Sequence, residues 1–426
     1  MKIIFLCGGV GKRMFPIKKD KCLLDFLGKP LLEHHIEQAR KIGLNDFVIV
    51  GNSSNIKKIK SIFSRNKVKA VFFIQDGPFG MADALMKAKD AILNDEILVV
   101  NPNDIFSSSL YQNIIEEAES NGYDSSIAAH RVDSYFPGGY LVVNSKHELL
   151  SISEKPGPGN EPSNLINIVV HFHRDPEKLL NQIEKTKSSD DNIYESAFTS
   201  LIKKGYKVKV LEYDGPWIAI KYPWHIIEAA EYFLNSLKVS KISGSARISK
   251  KATLDGNVFI SDEVQILEGA IIKGPCYIGP KTTIGNYSLV RDHVHIGSGC
   301  TIGFSTEITR SYIGNGCFFH SNYVGDSIIA DNCLLGDRTL TANLRFDKKT
   351  IKVYVNNILQ DTGRMKLGAM MGEGSCIGVG AMLMPGVKIG SSSIVGPGVV
   401  LYNDTVPNSR VYLKQEFNGE KVDKEK

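Results

Sequence analysis

The sequence predicts two domains: an α/β domain with a mostly parallel sheet, then a parallel β-helix of hexapeptide repeats. Three observations carry that expectation. In the first half, apolar runs of four to six residues alternate with amphipathic segments of helix length. From residue 242 onward an aliphatic residue returns at every sixth position. The 426 residues of the chain also exceed what one hydrophobic core usually organises.

The first half reads, in order, KIIFLC, PLLEHHIEQARKIG, DFVIVG, a polar helix-like segment, AVFFIQ, MADALMKAKDAIL and EILVVN. Short β-favouring runs separated by segments with 3.6-residue spacing mark βαβ units, hence a parallel sheet covered on both faces. Ligands of such sheets sit beyond the carboxyl ends of the strands. The glycine-rich stretch after the first run and Asp104 after EILVVN both fall there. In LCGGVGKRMFPIKKDKCLL, Gly8, Gly9 and Gly11 follow the first strand, then comes Arg13 and, eight residues on, Lys21. Glycines let backbone N–H groups approach a phosphate chain, and cations neutralise charge during phosphoryl transfer. The glycines alone would serve a tight βα turn equally well. No GKS or GKT follows to make a Walker A loop.

In the second half the periodic residues are Ile242, Ile248, Leu254, Ile260, Ile266, Ile272, Ile278, Ile284, Val290, Ile296, Ile302 and Ile308, and the repeat resumes from Met371 to Leu401. In a parallel β-helix each flat side contributes one inward aliphatic residue and each corner needs a small or permissive one. Cys276, Cys300, Cys317 and Cys333 occupy the small slot and read as packing residues. Between residues 309 and 370 the period breaks, with shortened steps around His320 and the excursion TANLRFDKKTIKVYVNNILQDTGRMK. Long insertions in a solenoid usually carry function. HIIEAAEYFLNSLK reads as a bridging helix, giving domains at 1–238 and 239–413 and a flexible tail at 414–426.

Composition excludes several classes. With 42% hydrophobic and 23% charged residues the chain reads as a globular protein of the cytoplasm, with neither a membrane span nor a signal-peptide core. A net charge of +5 is too dilute to argue for nucleic acid, though it suits phosphorylated substrates. The seven cysteines include no CxxC pair, as expected in a reducing compartment. His171 and His173, like His293 and His295, alternate on strands without a third ligand nearby and read as packing residues.

GGVGKRMFP followed by Lys21 resembles the triphosphate signature of the sugar-1-phosphate nucleotidyltransferases, and GKPLLEH the segment after it. QDGPFGMADAL resembles the base-recognition segment of that family, which implies Gln75 and Gly80 at the nucleobase. NPND resembles the stretch whose aspartate, here Asp104, binds Mg²⁺. Gly139 in PGGY, Glu154 and Lys155 in EKP, and Asn167 in SNLIN resemble its sugar-phosphate contacts. The resemblance implies a Rossmann-like domain that joins a sugar 1-phosphate to the α-phosphorus of UTP or dTTP and releases pyrophosphate. Arg13 would hold the leaving phosphates and Lys21 the α-phosphate. One departure stands out: the family carries a second metal-binding aspartate or asparagine two residues after a tryptophan, and GPWIAIKYPWH puts Ala219 there. Three readings stay open. Asp104 with water and phosphates suffices, Asp214 or Glu212 substitutes, or this half has lost its activity.

FFHSNYVGDSIIADNCLLGDRTLTANLRFD resembles the acetyltransferase half of bifunctional glucosamine-1-phosphate acetyltransferase and N-acetylglucosamine-1-phosphate uridylyltransferase enzymes, including archaeal-type relatives with the same domain order. That resemblance implies a left-handed β-helix assembled as a homotrimer, with acetyl-CoA bound between neighbouring coils. It implies His320 as general base, Tyr323 and Arg310 as sugar-phosphate contacts and Lys366 at the acetyl-CoA site. Leu334 stands where those enzymes have a polar asparagine, and GDRT replaces a more usual GAGT. His320 as a mere corner cap is the bland alternative. For the whole chain the rivals are acetyl transfer alone, nucleotidyl transfer with the coils as scaffold, and a regulatory subunit that only binds sugar nucleotides.

Overall fold

The computed structural model describes residues 1–77, 79–187 and 192–420, leaving aside the side chains of residues 120 and 121. Of the expected tail, residues 421–426 lie outside the described residues; residues 414–420 are exposed and form no regular element. The chain divides into two compact units. The first comprises Met1–Gly11, Lys19–Asp25 and Lys29–Ile220, the second Lys12–Lys18, Phe26–Gly28 and Lys221–Lys426.

The first unit is built on β1 (Lys2–Leu6), α1 (Leu31–Lys41), β2 (Phe47–Asn52), α2 (Ile56–Arg65), β3 (Ala70–Gln75), α3 (Gly80–Lys87), α4 (Lys89–Ile92) and β4 (Ile97–Val100). It continues with β5 (Asp104–Ile105), α5 (Ser109–Asn121), β6 (Ser125–Arg131), β7 (Gly139–Val143), β8 (Leu149–Glu154), β9 (Leu165–His173), α6 (Pro176–Lys185), α7 (Ile193–Lys203), β10 (Val208–Glu212) and β11 (Ile218–Ala219). The order β3-β2-β1-β4 is parallel throughout. Beyond β4 the sheet turns mixed: β9 runs antiparallel to β4, β6 and β7, and β10 runs parallel to β6. Ile3, Phe5, Phe47 and Ile49 point to one core with Leu32, Ile36, Ile59 and Phe63, while Ile4, Val48 and Val50 point to a second with Leu85, Leu179 and Phe198. Strands buried on both faces explain why their runs are continuously apolar. The helices bury one stripe each, as Ile56, Ile59, Ile62 and Phe63 do in α2.

The second unit is a left-handed parallel β-helix with three faces, each a stack of short parallel strands. Inward residues on the first face follow Ile242, Ile260, Ile278 and Ile296 in 18-residue rungs. The next rung partners are Ile313 and Ile329, 17 and 16 residues on, and then Met371 after the excursion. From the second rung on, one corner turns through a left-handed residue: Glu263, Lys281, Gly299, Gly316, Asn332, Gly374, Ser392 and Asn408. Glu263 and Lys281 fit there because their side chains are exposed. From Thr282 to Cys333 the next position holds a small hydrogen-bond donor that bonds to a carbonyl of the following rung. Thr282 Oγ1 donates to Gly297 O at 2.8 Å, Cys300 Sγ to Gly314 O at 3.1 Å and Cys317 Sγ to Ala330 O at 3.2 Å. These thiols are core residues and part of a hydrogen-bond ladder.

Outward residues of the first face form a column, Phe259, Tyr277, His295, Tyr312, Ile328, Met370 and Lys388. Its rings stack, with His295 centred 4.8 Å from Tyr277 and 4.7 Å from Tyr312. Helix α8 (His225–Asn235) belongs to this unit, because Leu234 and the following Leu237 cluster with Tyr277, and Phe26 lies between Phe233 and Tyr312. The boundary expected at residue 238 therefore falls after a helix that packs with the coils.

Candidate active sites

In the first unit the carboxyl ends of β1, β3 and β4 gather the expected nucleotide residues. Gly8 leaves room for Gln75: a Cβ on Gly8 would overlap Gln75 Oε1. Gln75 is buried, and its Nε2 donates to Gly80 O at 2.9 Å. Gly80 and Gly11 both take left-handed backbone, with φ of 80° and 61°, and Gly9 is exposed. The loop is anchored from β2, where Asn55 Nδ2 donates to Cys7 O at 2.8 Å and Asn52 Nδ2 to Gly8 O at 3.4 Å. Lys21 opens a short 3-10 turn, Lys21–Leu23, fixed by the burial of Cys22 and Leu23. Next to it, burial raises the Asp20 carboxyl, and the Asn55 amide, Lys58 and the Asn52 amide work against that rise. Arg13 lies on the segment that belongs to the second unit, its guanidinium 5.7 Å from the centre of the Tyr222 ring.

Asp104 starts β5, which pairs with β11 so that Ala219 is its cross-strand partner. The residue expected to carry a second carboxylate thus stands directly opposite the first, and it is alanine. Asp104 is largely buried and accepts a hydrogen bond from Trp217 Nε1 at 3.2 Å. Glu212 is engaged elsewhere: Arg131 holds it with two bonds of 2.9 and 2.7 Å. Asp214 is exposed. Among the described residues no cluster of three or more His, Cys, Asp or Glu side chains forms a metal site. One carboxylate remains a workable Mg²⁺ anchor, since that ion commonly takes one or two from protein and the rest from phosphates and water.

The expected sugar-phosphate residues converge on the edge of the sheet. Gly139 pairs with Glu154 across β7 and β8, and a Cβ there would stand 3.1 Å from Glu154 Oε2 and 3.7 Å from Asn167 Cβ. Lys155, left-handed at φ 45°, pairs with Glu154 at 2.6 Å. Asn167 Oδ1 accepts from His171 Nε2 at 2.8 Å, which makes Nδ1 of the neutral ring the acceptor for Tyr194 OH at 2.7 Å. A shift in the β6–β9 register between Ile168 and His171 accompanies this contact.

In the second unit His320 is exposed at the end of its second-face strand, its ring 5.0 Å from Phe318, and Tyr323 opens the third face two positions past the corner. Arg310 sits at the next corner, where its guanidinium makes a bidentate pair with buried Asp326 at 2.8 and 2.9 Å. The residue expected to contact the sugar phosphate thus carries a carboxylate partner on its guanidinium. Asn343 Nδ2 links the cluster, 2.6 Å from Asp326 and 3.3 Å from Tyr323 OH. Lys366 is exposed and bridges to Leu344 across the base of the excursion, whose hairpin pairs Lys352–Val355 with Ile358–Asp361.

The nucleotidyl transferase family matches residues 2–232, more than half of the chain, and the bacterial transferase hexapeptide (six repeats) family matches 275–310 and 368–403. A bifunctional sugar-1-phosphate nucleotidylyltransferase/acetyltransferase of Sulfurisphaera tokodaii is 34% identical, with 87% of this chain and 90% of that one covered. Bifunctional GlmU proteins of Methanocaldococcus jannaschii (35% identical, 89% of each chain) and Methanococcus maripaludis (34%, 98% of each) are similar to the same extent. The chain belongs to the bifunctional sugar-1-phosphate nucleotidylyltransferase/acetyltransferase family. A solved Bacillus anthracis chain with a provisional glucose-1-phosphate thymidylyltransferase name has a TM-score of 0.50 at 21% identity, covering 56% of this chain and 97% of that one, and shares the fold of this family's first domain. No helix among the described residues is long and apolar enough to cross a membrane.

The sequence does not single out Asn52, Asn55 or Asp326, which hold site residues rather than forming motifs, and it marks His171 only as a packing residue, whereas its ring also holds Asn167. His171 is also one of three imidazoles that the first unit buries in neutral form. Burial pushes His35 and His173 down to about 3, and burial with the adjacent His173 holds His171 well below the usual imidazole range. All three bind protons more readily when unfolded, so stability is full above the unfolded value near 6.5 and is lost as pH falls toward the folded values. Each contributes about 1.4 kcal/mol per pH unit in that window. Urea unfolding followed by far-UV circular dichroism should show the first unit losing several kcal/mol between about pH 6.5 and 5; an unchanged midpoint would refute this account.

Proposed function

We propose that the first unit transfers a nucleotidyl group from UTP or dTTP to a sugar 1-phosphate with Mg²⁺, and that the coils N-acetylate an amino-sugar phosphate with acetyl-CoA. The observation that carries the first reaction is the gathering of the Gly8 loop, Gln75 and Asp104 at the carboxyl ends of parallel strands of one sheet, β1, β3 and β4. Such transfer needs positioning and charge neutralisation rather than a side-chain nucleophile. Gln75 and Gly80 read the base, Gly139, Glu154, Lys155 and Asn167 hold the sugar phosphate, and Arg13 and Lys21 offset charge on the triphosphate. Mg²⁺ held by Asp104, water and phosphate oxygens would add further neutralisation at the α-phosphate.

In the coils, His320 takes the proton that the amine sheds as it attacks the thioester, and Tyr323 contacts the sugar phosphate. Support for a homotrimer comes from apolar side chains exposed on the two faces that meet at the His320 corner: Phe318, Leu334 and Ile394 on the second face, Met382 and Val400 on the third. Exposed apolar columns of this extent suit burial against a second copy. Cytoplasmic location remains part of the same proposal.

The test is pyrophosphate release with Mg²⁺, N-acetylglucosamine 1-phosphate or glucose 1-phosphate, and UTP or dTTP, alongside CoA release from acetyl-CoA and glucosamine 1-phosphate. Both products are expected from one preparation. Silence of the first assay for every pair would leave acetyl transfer alone.

A further inference from the structure

Lys388 is a buried cation in a column that is apolar or aromatic on the six rungs before it, Phe259 to Met370. Ile328 and Met370 fill the same position and are fully buried, whereas Lys388 is 4% exposed. Burying an ammonium is costly unless partners replace water. Its Nζ lies 3.0 Å from Asp404 Oδ2, donates to Tyr354 O, and stands 5.6 Å from the centre of the Phe15 ring. The last contact falls within cation–π range and is strengthened by desolvation. One rung earlier, Pro16 O lies 3.0 Å from where a Cβ on Gly372 would stand, so the backbone of the same segment rests on the coil surface. Arg13, two residues before Phe15, lies 5.7 Å from the centre of the Tyr222 ring, which stacks on Trp224 at 4.5 Å.

We propose that Lys388 is a positioning residue for nucleotidyl transfer: through Phe15 it holds the segment that carries Arg13, the cation proposed above to offset charge on the triphosphate. This rests on the function proposed above. The ring faces the cation, and the carboxylate and carbonyl orient it. Misplacing a group that stabilises transferring phosphates by about an ångström can cost up to about 100-fold.

The experiment uses full-length Lys388→Met, Lys388→Arg and Phe15→Ala. Phe15→Ala removes the ring and leaves the Lys388, Asp404 and Tyr354 contacts intact. Lys388→Met and Phe15→Ala should each lower kcat for pyrophosphate release about tenfold or more, with the sugar phosphate KM and CoA release unchanged, and Lys388→Arg should recover most of the rate. Limited trypsin digestion reads the segment without reference to activity: cleavage after Lys12, Arg13 and Lys18 should speed up in the first two variants. Unchanged cleavage, or faster cleavage with undiminished pyrophosphate release, overturns the proposal, as does a parallel loss of both activities with thermal stability. A wild-type chain silent for pyrophosphate would instead overturn the nucleotidyl reading, and digestion tells the two failures apart.

Discussion

Asp104→Ala is expected to lower pyrophosphate release about 100-fold or more while leaving CoA release intact. The size follows from the several kcal/mol of charge stabilisation that a metal supplies in phosphoryl transfer, at 1.36 kcal/mol per decade of rate. The structure sharpens this with a reciprocal variant. Ala219 is the cross-strand partner of Asp104, so Ala219→Asp puts a second carboxylate on the same side of the β5–β11 ribbon at a Cβ separation of about 5 Å. Without metal the two like charges repel and the variant should melt below the wild type; Mg²⁺ should raise its melting temperature more than that of the wild type. The Mg²⁺ concentration for half-maximal rate should fall about tenfold, one added carboxylate being worth a decade or so of affinity. If the Mg²⁺ dependence of Ala219→Asp matches the wild type in both rate and melting, Ala219 does not face the metal. Trp217, whose indole bonds Asp104, makes the carboxylate's orientation part of the same expectation, since the second carboxylate can share the ion only if the first keeps its place.

The parts of the molecule legible from sequence are those written in short-range period. An inward aliphatic every sixth residue reports a three-sided rung, and the shortened steps at Ile313 and Ile329 appear in the chain as the break around His320. Strand and helix alternation through β4 follows from local pattern in the same way. Beyond β4 the sheet is antiparallel where β9 meets β4 and β6, because strand direction depends on which distant edge a segment joins. Site residues divide along the same line. Gln75 and Asp104 follow apolar strands and announce themselves, but the bond from His171 to Asn167 depends on a shifted strand register, and Arg310 meets Asp326 only because one rung of 16 residues stacks its corners. Arg13 is the instructive case: its motif identifies it with the glycine loop, while its packing, against Tyr222, belongs to the second unit.

His320→Ala is expected to reduce CoA release from acetyl-CoA and glucosamine 1-phosphate by about 100- to 10,000-fold, the range general-base removal usually produces, with pyrophosphate release unaffected. The backbone at this corner is pinned independently of the imidazole. His320 N–H donates to Leu335 O at 3.3 Å, and His320 O accepts from Thr306 Oγ1 at 2.8 Å. Removing the ring therefore leaves the rung intact, and lost activity can be assigned to chemistry rather than to folding. The ring itself is exposed, with Phe318 5.0 Å away, an arrangement suited to a group that must reach a substrate. A corner cap would behave in the opposite way: its removal would lower the melting temperature and leave turnover per folded molecule unchanged. Measuring both quantities on one preparation separates these roles, and undiminished turnover would transfer the search for a base to Tyr323 and the Asp326–Asn343 cluster beside it.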